Sequence, residues 1–215
     1  YQLAASSAFS PPGGTFFVQA GGGTNSQHIS IDTSTTGVKS GTLTVSTGDD
    51  PPHQKSINLS GQVVPDQLYP STWAMEAGKI QNGTFANLLA SDNLRLSLIN
   101  DTRVRVPDPI KARFEFTSPV PSIGSMTIKI ESLSLNSLRQ FVDLYDFSTN
   151  AYVPFGFQQL TPTDSLHTVS PSNPSRFIEP GTRTIRLRLR WRGITGFRPI
   201  APVSCAIDTL SVELR

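Results

Sequence analysis

The residues of this 215-residue chain best equipped for chemistry are four arginines spaced two apart: Arg186, Arg188, Arg190 and Arg192. On an extended strand, side chains two apart share a face and stand about 6.5–7 Å from each other. A file of guanidiniums can hold carboxylates or sulfates through paired hydrogen bonds. The plainer alternative is a solvated strand face whose charge resists aggregation and finds Asp or Glu on the next strand. A second pool is aromatic: Trp73, Tyr145, Tyr152, Phe155, Phe157, Trp191 and Phe197. A sugar's apolar C–H face packs on such rings where two or three are exposed together. Trp191 falls on the Ile/Leu side of its strand and belongs to the core. Tyr145 and Tyr152 flank a hairpin turn and are the better candidates, either for a sugar platform or for packing.

Nucleophilic chemistry finds little support. The histidines are His28, His53 and His167, and Asp164-Ser165-Leu166-His167 has the residue types of a triad. A triad is assembled in space from separate loops, and no Gly-x-Ser-x-Gly elbow is present. Asp49-Asp50-Pro51-Pro52-His53 reads more simply as a turn than as a metal site. There is no phosphate-cradling glycine loop, zinc spacing or dinucleotide fingerprint. Acidic residues are too scattered to nominate a pair for glycoside hydrolysis. Cys205, the single cysteine, lies in the apolar stretch Ala201–Ile207, where a buried, inert thiol is expected. The expectation is a protein that is not an enzyme.

The elements that must carry these residues follow from composition and rhythm. Hydrophobic residues are 37% and charged residues 16%, against usual values of about 45–50% (glycine counted) and about 25%. Ser, Thr, 16 Gly and 17 Pro fill the gap. This excludes a coiled coil or helical bundle, and no apolar run approaches the ~18–20 residues of a membrane-spanning helix. A net charge of +2 argues against a nucleic-acid partner, although 13 of the 18 basic residues are Arg. Tyr1–Ser10 shows neither a basic start nor an apolar stretch of leader type. A surface rich in Ser, Thr, Asn and Gly with few Lys and Glu suits an extracellular or cell-surface location.

Period-two alternation predicts strands in Gln27–Asp32, Gly41–Ser46 and Lys55–Ser60, with a further one at Thr15–Val18. This first unit, residues 1–64, has too few strands for a complete immunoglobulin-like sandwich. Residues 65–70 contain two prolines and read as a linker. In residues 71–215, alternation predicts strands around Leu94–Leu98, Ala112–Phe116, Met126–Ile130, Phe141–Phe147, Ala151–Phe157, Ile185–Trp191 and Ile207–Leu214. Thr84–Ala90 allows a helical turn or two. So many strands suggest a double-sheet jelly roll.

Two resemblances attach to these segments. Residues 20–64, with the Gly-Thr-Leu-Thr-Val strand, the Asp-Asp-Pro-Pro turn and the closing Ile-Asn-Leu-Ser-Gly strand, resemble the last half of bacterial Ig-like repeats of the Hydin-like and choice-of-anchor type. Ile207-Asp208-Thr209-Leu210-Ser211-Val212 and Leu144-Tyr145-Asp146-Phe147-Ser148-Thr149 resemble the closing strand and a hairpin of galactose-binding-like jelly rolls in secreted bacterial proteins. The first resemblance implies a spacer or adhesion module, the second a non-catalytic binding or packing module. The second also implies a structural calcium joining an early acidic residue to the last strand, here Glu76 and Asp208, with Asp92 beside them. Calcium takes 6–8 oxygens, many of them carbonyls, so the sequence does not establish it.

The expectation is an all-β chain: a partial Ig-like β-sandwich, then a jelly-roll β-sandwich. Its role is that of an extracellular structural or adhesive module of a bacterial surface or secreted protein, self-associating through an open sheet edge. The alternative is a carbohydrate-binding module cut from a larger secreted hydrolase. Tyr145, Tyr152 and the four arginines are the expected contacts for a surface glycan or acidic polymer, with no nucleic acid and no membrane insertion.

Overall fold

Alternating apolar and polar side chains fold this chain into antiparallel sheets. In the computed structural model, residues 1–18, 22–49, 51–65, 67–103, 106–194 and 201–215 are described. The chain divides into two units, Tyr1–Pro65 and Asp66–Arg215.

The first unit contains β1 (Gln2–Ala5), β2 (Phe9–Ser10), β3 (Ser30–Ile31), β4 (Gly37–Ser46) and β5 (Gln54–Val63). β1, β4 and β5 form one sheet in that order, and β2 pairs with β3 in a short ribbon. Leu3 lies opposite Val45, and Leu43 opposite Ile57, which lines up an apolar face. The ribbon packs over the glycine positions of that face. A Cβ on Gly41 would come within 2.9 Å of the Phe9 ring, and one on Gly61 within 2.6 Å of Ile31. The expected strand over Gln27–Asp32 shrinks to Ser30–Ile31, and within Thr15–Val18 only Thr15 bridges, to Gln2. Strands β1 and β2 come instead from residues that carry no clear alternation.

The second unit runs β6 (Thr72–Ala77), β7 (Lys79–Asn82), β8 (Leu96–Ile99), β9 (Ile110–Thr117), β10 (Met126–Leu133), β11 (Leu138–Asp146), β12 (Ala151–Gln159), β13 (Ser165–Val169), β14 (Thr184–Gly193) and β15 (Ser204–Leu214). They build two five-stranded sheets, β13-β10-β15-β8-β7 and β12-β11-β14-β9-β6, which form a jelly-roll β-sandwich. The predicted helical segment is one 3-10 turn, Phe85–Leu88. Ile110, Phe114, Ile128, Ile130, Leu187, Leu189 and Trp191 are fully buried in the core between the sheets. Each fully buried side chain of this size contributes roughly 1.5–3 kcal/mol of apolar transfer. Residues just after Pro65 are tied into this unit, because Leu68 and Val212 exchange backbone hydrogen bonds of 2.7 and 2.8 Å.

Two irregularities decide which side chains face out. On β15 the core residues Ile207 and Leu210 are three apart, which strict alternation would place on opposite faces. A β-bulge resolves this: Glu131 pairs with Thr209 and Ser132 with Ile207, leaving Asp208 as the extra residue. On β12, Phe141 pairs with Phe157 and Asp143 with Pro154, so the strand bulges between them. Gly156 takes φ +92° there, a conformation other L residues rarely adopt. The bulge returns Phe157 to the outer face, where it is 50% exposed.

Candidate ligand-binding face

The outer face of the β12-β11-β14-β9-β6 sheet is built around β14. Ile185, Leu187, Leu189 and Trp191 point into the core, so Arg186, Arg188, Arg190 and Arg192 must point outward. Pairing then fixes their neighbours. Arg186 stands opposite Glu115, and Arg188 has Asp143 on one side and Arg113 on the other. Arg190 has Phe141 and Lys111, and Arg192 has Arg139.

The arginine row is therefore not a bare cationic stripe; carboxylates run through it. Arg188 Nε donates to Asp143 at 2.9 Å, and Arg190 Nε and Nη2 donate to the same carboxylate at 2.6 and 2.8 Å. Arg190 and Arg192 share Asp108, on the loop before β9, at 3.3 and 2.7 Å. Arg186 Nε donates to Glu115 at 2.9 Å. Asp143 is 1% exposed. A carboxylate buried to that degree is tolerable because two guanidiniums saturate it, and it in turn fixes their planes.

The structure brings Tyr145 and Tyr152 together as cross-strand partners on β11 and β12. Their rings meet edge to face, 5.1 Å apart and 78° to each other, so they do not form one coplanar platform. Phe147 meets Tyr145 in the same way at 5.0 Å. Guanidiniums cover part of this aromatic surface. Arg188 lies 3.7 Å from the Tyr152 centroid, Arg186 5.0 Å from Tyr145, Arg190 5.2 Å from Phe141 and Arg139 4.7 Å from Phe157. Burial, then the nearby Glu76 charge, raises the pKa of the Tyr152 hydroxyl above that of an ordinary phenol, so it remains a donor at neutral pH. The face thus presents half-exposed rings interleaved with oriented N–H donors.

The other aromatic candidates belong to packing. Trp191 is fully buried, Trp73 stacks between Phe85 and Phe114 at 6.3 and 6.0 Å, and Phe155 meets Phe177 at 5.5 Å. Phe197 lies outside the described residues, as does Asp50 of the Asp-Asp-Pro-Pro-His turn. Cys205 is buried, and burial pushes its thiol pKa well up. The Asp164–His167 segment does not assemble a triad. Asp164 pairs with Arg95 at 2.5 Å, while the Ser165 hydroxyl accepts from Gln158 and donates to the Ser132 carbonyl.

The expected calcium set is not assembled either. Glu76 sits on β6 in the arginine sheet and pairs with Lys111 at 3.5 Å, whereas Asp208 sits on β15 in the opposite sheet. Asp92 accepts the backbone N–H of Leu94 in a local turn. Asp208 is joined instead by Glu131 and Asp164, which each offer a carboxylate oxygen within 4.8 Å of the others. The Ser91 hydroxyl donates to Glu131 at 2.7 Å and stands 3.3 Å from Asp208. Burial, and then the Glu131 charge, raises the Asp208 pKa. This trio, rather than Glu76 and Asp92, is the set that could hold a cation beside Asp208.

Sequence reasoning missed Asp143, Asp108, Arg113, Arg139, Phe141 and Phe147 as members of the face. The outward parity of Arg113 was legible in the β9 alternation. What the alternation does not say is that β9 and β11 flank β14.

No protein-family model and no curated protein matches the chain. Among solved structures it is similar to a structure titled "CBM4 structure and function" (TM-score 0.45, 9% identity, covering 68% of this chain and 89% of that one). It is also similar to TmCBM61 in complex with β-1,4-galactotriose (TM-score 0.40, 12% identity, 68% and 91%). A third is the CBM22-1–GH10 portion of Clostridium thermocellum endo-1,4-β-D-xylanase 10B with xylohexaose (TM-score 0.42, 9% identity), where the match covers 70% of this chain and 26% of that one.

Proposed function

We propose that residues 66–215 form a non-catalytic module that binds a glycan chain along the outer face of the β12-β11-β14-β9-β6 sheet, within a secreted or surface-exposed protein. The observation that carries this reading is the arrangement around Arg188. A guanidinium whose plane is set by buried Asp143 lies against the half-buried ring of Tyr152, and Tyr145 meets that ring edge to face. Rings supply apolar surface for sugar C–H faces, and oriented guanidiniums supply donors for hydroxyls. The four arginines span about 20 Å along β14, which suits an extended chain rather than a small molecule. No helix among the described residues is long and apolar enough to cross a membrane. The test is a glycan array with the wild type, Tyr145→Ala and Tyr152→Ala. Binding that both substitutions weaken supports the reading, and a folded wild type that binds no glycan ends it.

A structural role is the second reading, favoured by β5. Among the described residues this strand pairs only with β4, which leaves one flank of its backbone open over residues 54–61. An open edge of that length can accept a strand from another copy. Sedimentation showing a strict monomer at all concentrations would remove this reading.

A further inference from the structure

Resting on the glycan-binding reading, we infer that the ligand carries carboxylates, that is, that the face selects a uronate polymer over a neutral one. Like charges directly opposite on a sheet face destabilise it, yet this face holds three such pairs: Arg113 opposite Arg188, Lys111 opposite Arg190, and Arg139 opposite Arg192. Folding alone gives no reason to collect them.

The carboxylates present do not balance them. Seven cations on β9, β11 and β14 stand against Glu76, Asp108, Glu115 and Asp143, an excess of three positive charges. The whole chain has a formal charge of only +2, so the excess on this face is larger than that of the entire protein. Asp108 and Asp143 each accept from two guanidiniums, and Glu115 accepts from Arg186 with Arg113 3.7 Å away, which leaves donors over at every one of them.

Arg113 is one place where that surplus reaches the surface. Its side chain is 39% exposed, and its nearest carboxylate, Glu115, is 3.7 Å away, longer than a hydrogen bond. Its β6 neighbour is Ala74, a short side chain that offers it no carboxylate. A carboxylate placed between Arg113 and Arg188 would receive donors from both and remove their repulsion, while the sugar ring packs toward Tyr152. The carboxylates the protein already supplies on this face, Asp143 and Glu115, show the geometry such a ligand group would copy.

The test uses polygalacturonate and the same polymer with its carboxyls reduced to alcohols, measured by isothermal titration against the full chain. The wild type is expected to bind the uronate polymer at least about tenfold tighter than the reduced one, the scale of one charge-assisted hydrogen bond. Arg113→Gln is expected to lose most of that preference while its melting temperature stays level or rises, since the substitution also removes a like-charge pair. Equal affinity for the two polymers overturns the inference and leaves the glycan reading standing. So does a preference unchanged in Arg113→Gln, or poly-glutamate binding as tightly as the uronate polymer. Failure to bind any glycan, charged or neutral, falsifies the glycan reading itself.

Discussion

The Arg188 guanidinium lies 3.7 Å from the centre of the Tyr152 ring, although the two residues belong to strands separated by β11. Tyr152 therefore reaches across β11 to the carboxylate-bound arginine of β14. Stacking holds the ring in place from one side. Replacing Tyr152 with Leu should cost about 1 kcal/mol of stability through the lost cation–π contact. It should cost considerably more in glycan affinity, read by parallel urea melts and binding titrations.

Asp143 is the structural anchor of the face. Asp143→Asn leaves Arg188 and Arg190 without their shared partner in a site that is 1% exposed. A loss of about 3 kcal/mol is expected, the usual cost of breaking a buried pair from one side. Asp101→Asn, which breaks the exposed pair with Arg103, should shift the urea midpoint far less. Equal shifts for the two variants would contradict this account.

Stability should fall in acid over a defined window. Hydrogen bonds from Ser148 hold the Asp146 carboxyl at about 2, and those from Arg103 hold Asp101 at about 2, against an ordinary 3.8. Both folded values lie below the unfolded ones, so the unfolded chain takes up protons first as pH drops. Their stabilising contribution is complete above about pH 4 and is lost as pH falls toward 2. Urea midpoints between pH 2 and 7 should show this slope, and Asp146→Asn should flatten part of it. Because Asp146 accepts the Ser148 N–H in the β11–β12 turn, that variant should also loosen the Tyr145–Tyr152 pair.

Gly156→Ala tests the bulge that aims Phe157. No atom lies within 4 Å of a Cβ built there, so the penalty comes from φ +92° alone, roughly 1–2 kcal/mol. If β12 instead relaxed to regular pairing, Phe157 would leave the outer face and Arg139 would lose its ring. A melting temperature equal to wild type would argue against the strained bulge.

How much of this was legible beforehand differs from strand to strand. β9 and β14 alternate over eight or more residues, and β10 does so as far as Glu131, beyond which polar Ser132 turns in and Leu133 out, so most of their inward and outward sets could be read directly. β7 has four exposed residues, and β13 only five with one buried, too little contrast for a rhythm to show. β6 was missed as well, since its bulge at Glu76 interrupts the period.

The amino-acid order alone determined the all-β class, the inward turn of Trp191 and the outward turn of the four arginines, because side-chain direction along a strand is a local, two-residue property. Only the tertiary structure decided what those arginines meet. Strand neighbours are chosen by how two sheets bury their apolar faces together, and residues 45 or more positions apart, such as Asp143 and Arg188, become partners only then. The same holds for Asp208, whose bulge on the last strand turns it toward Glu131 and Asp164 rather than toward Glu76.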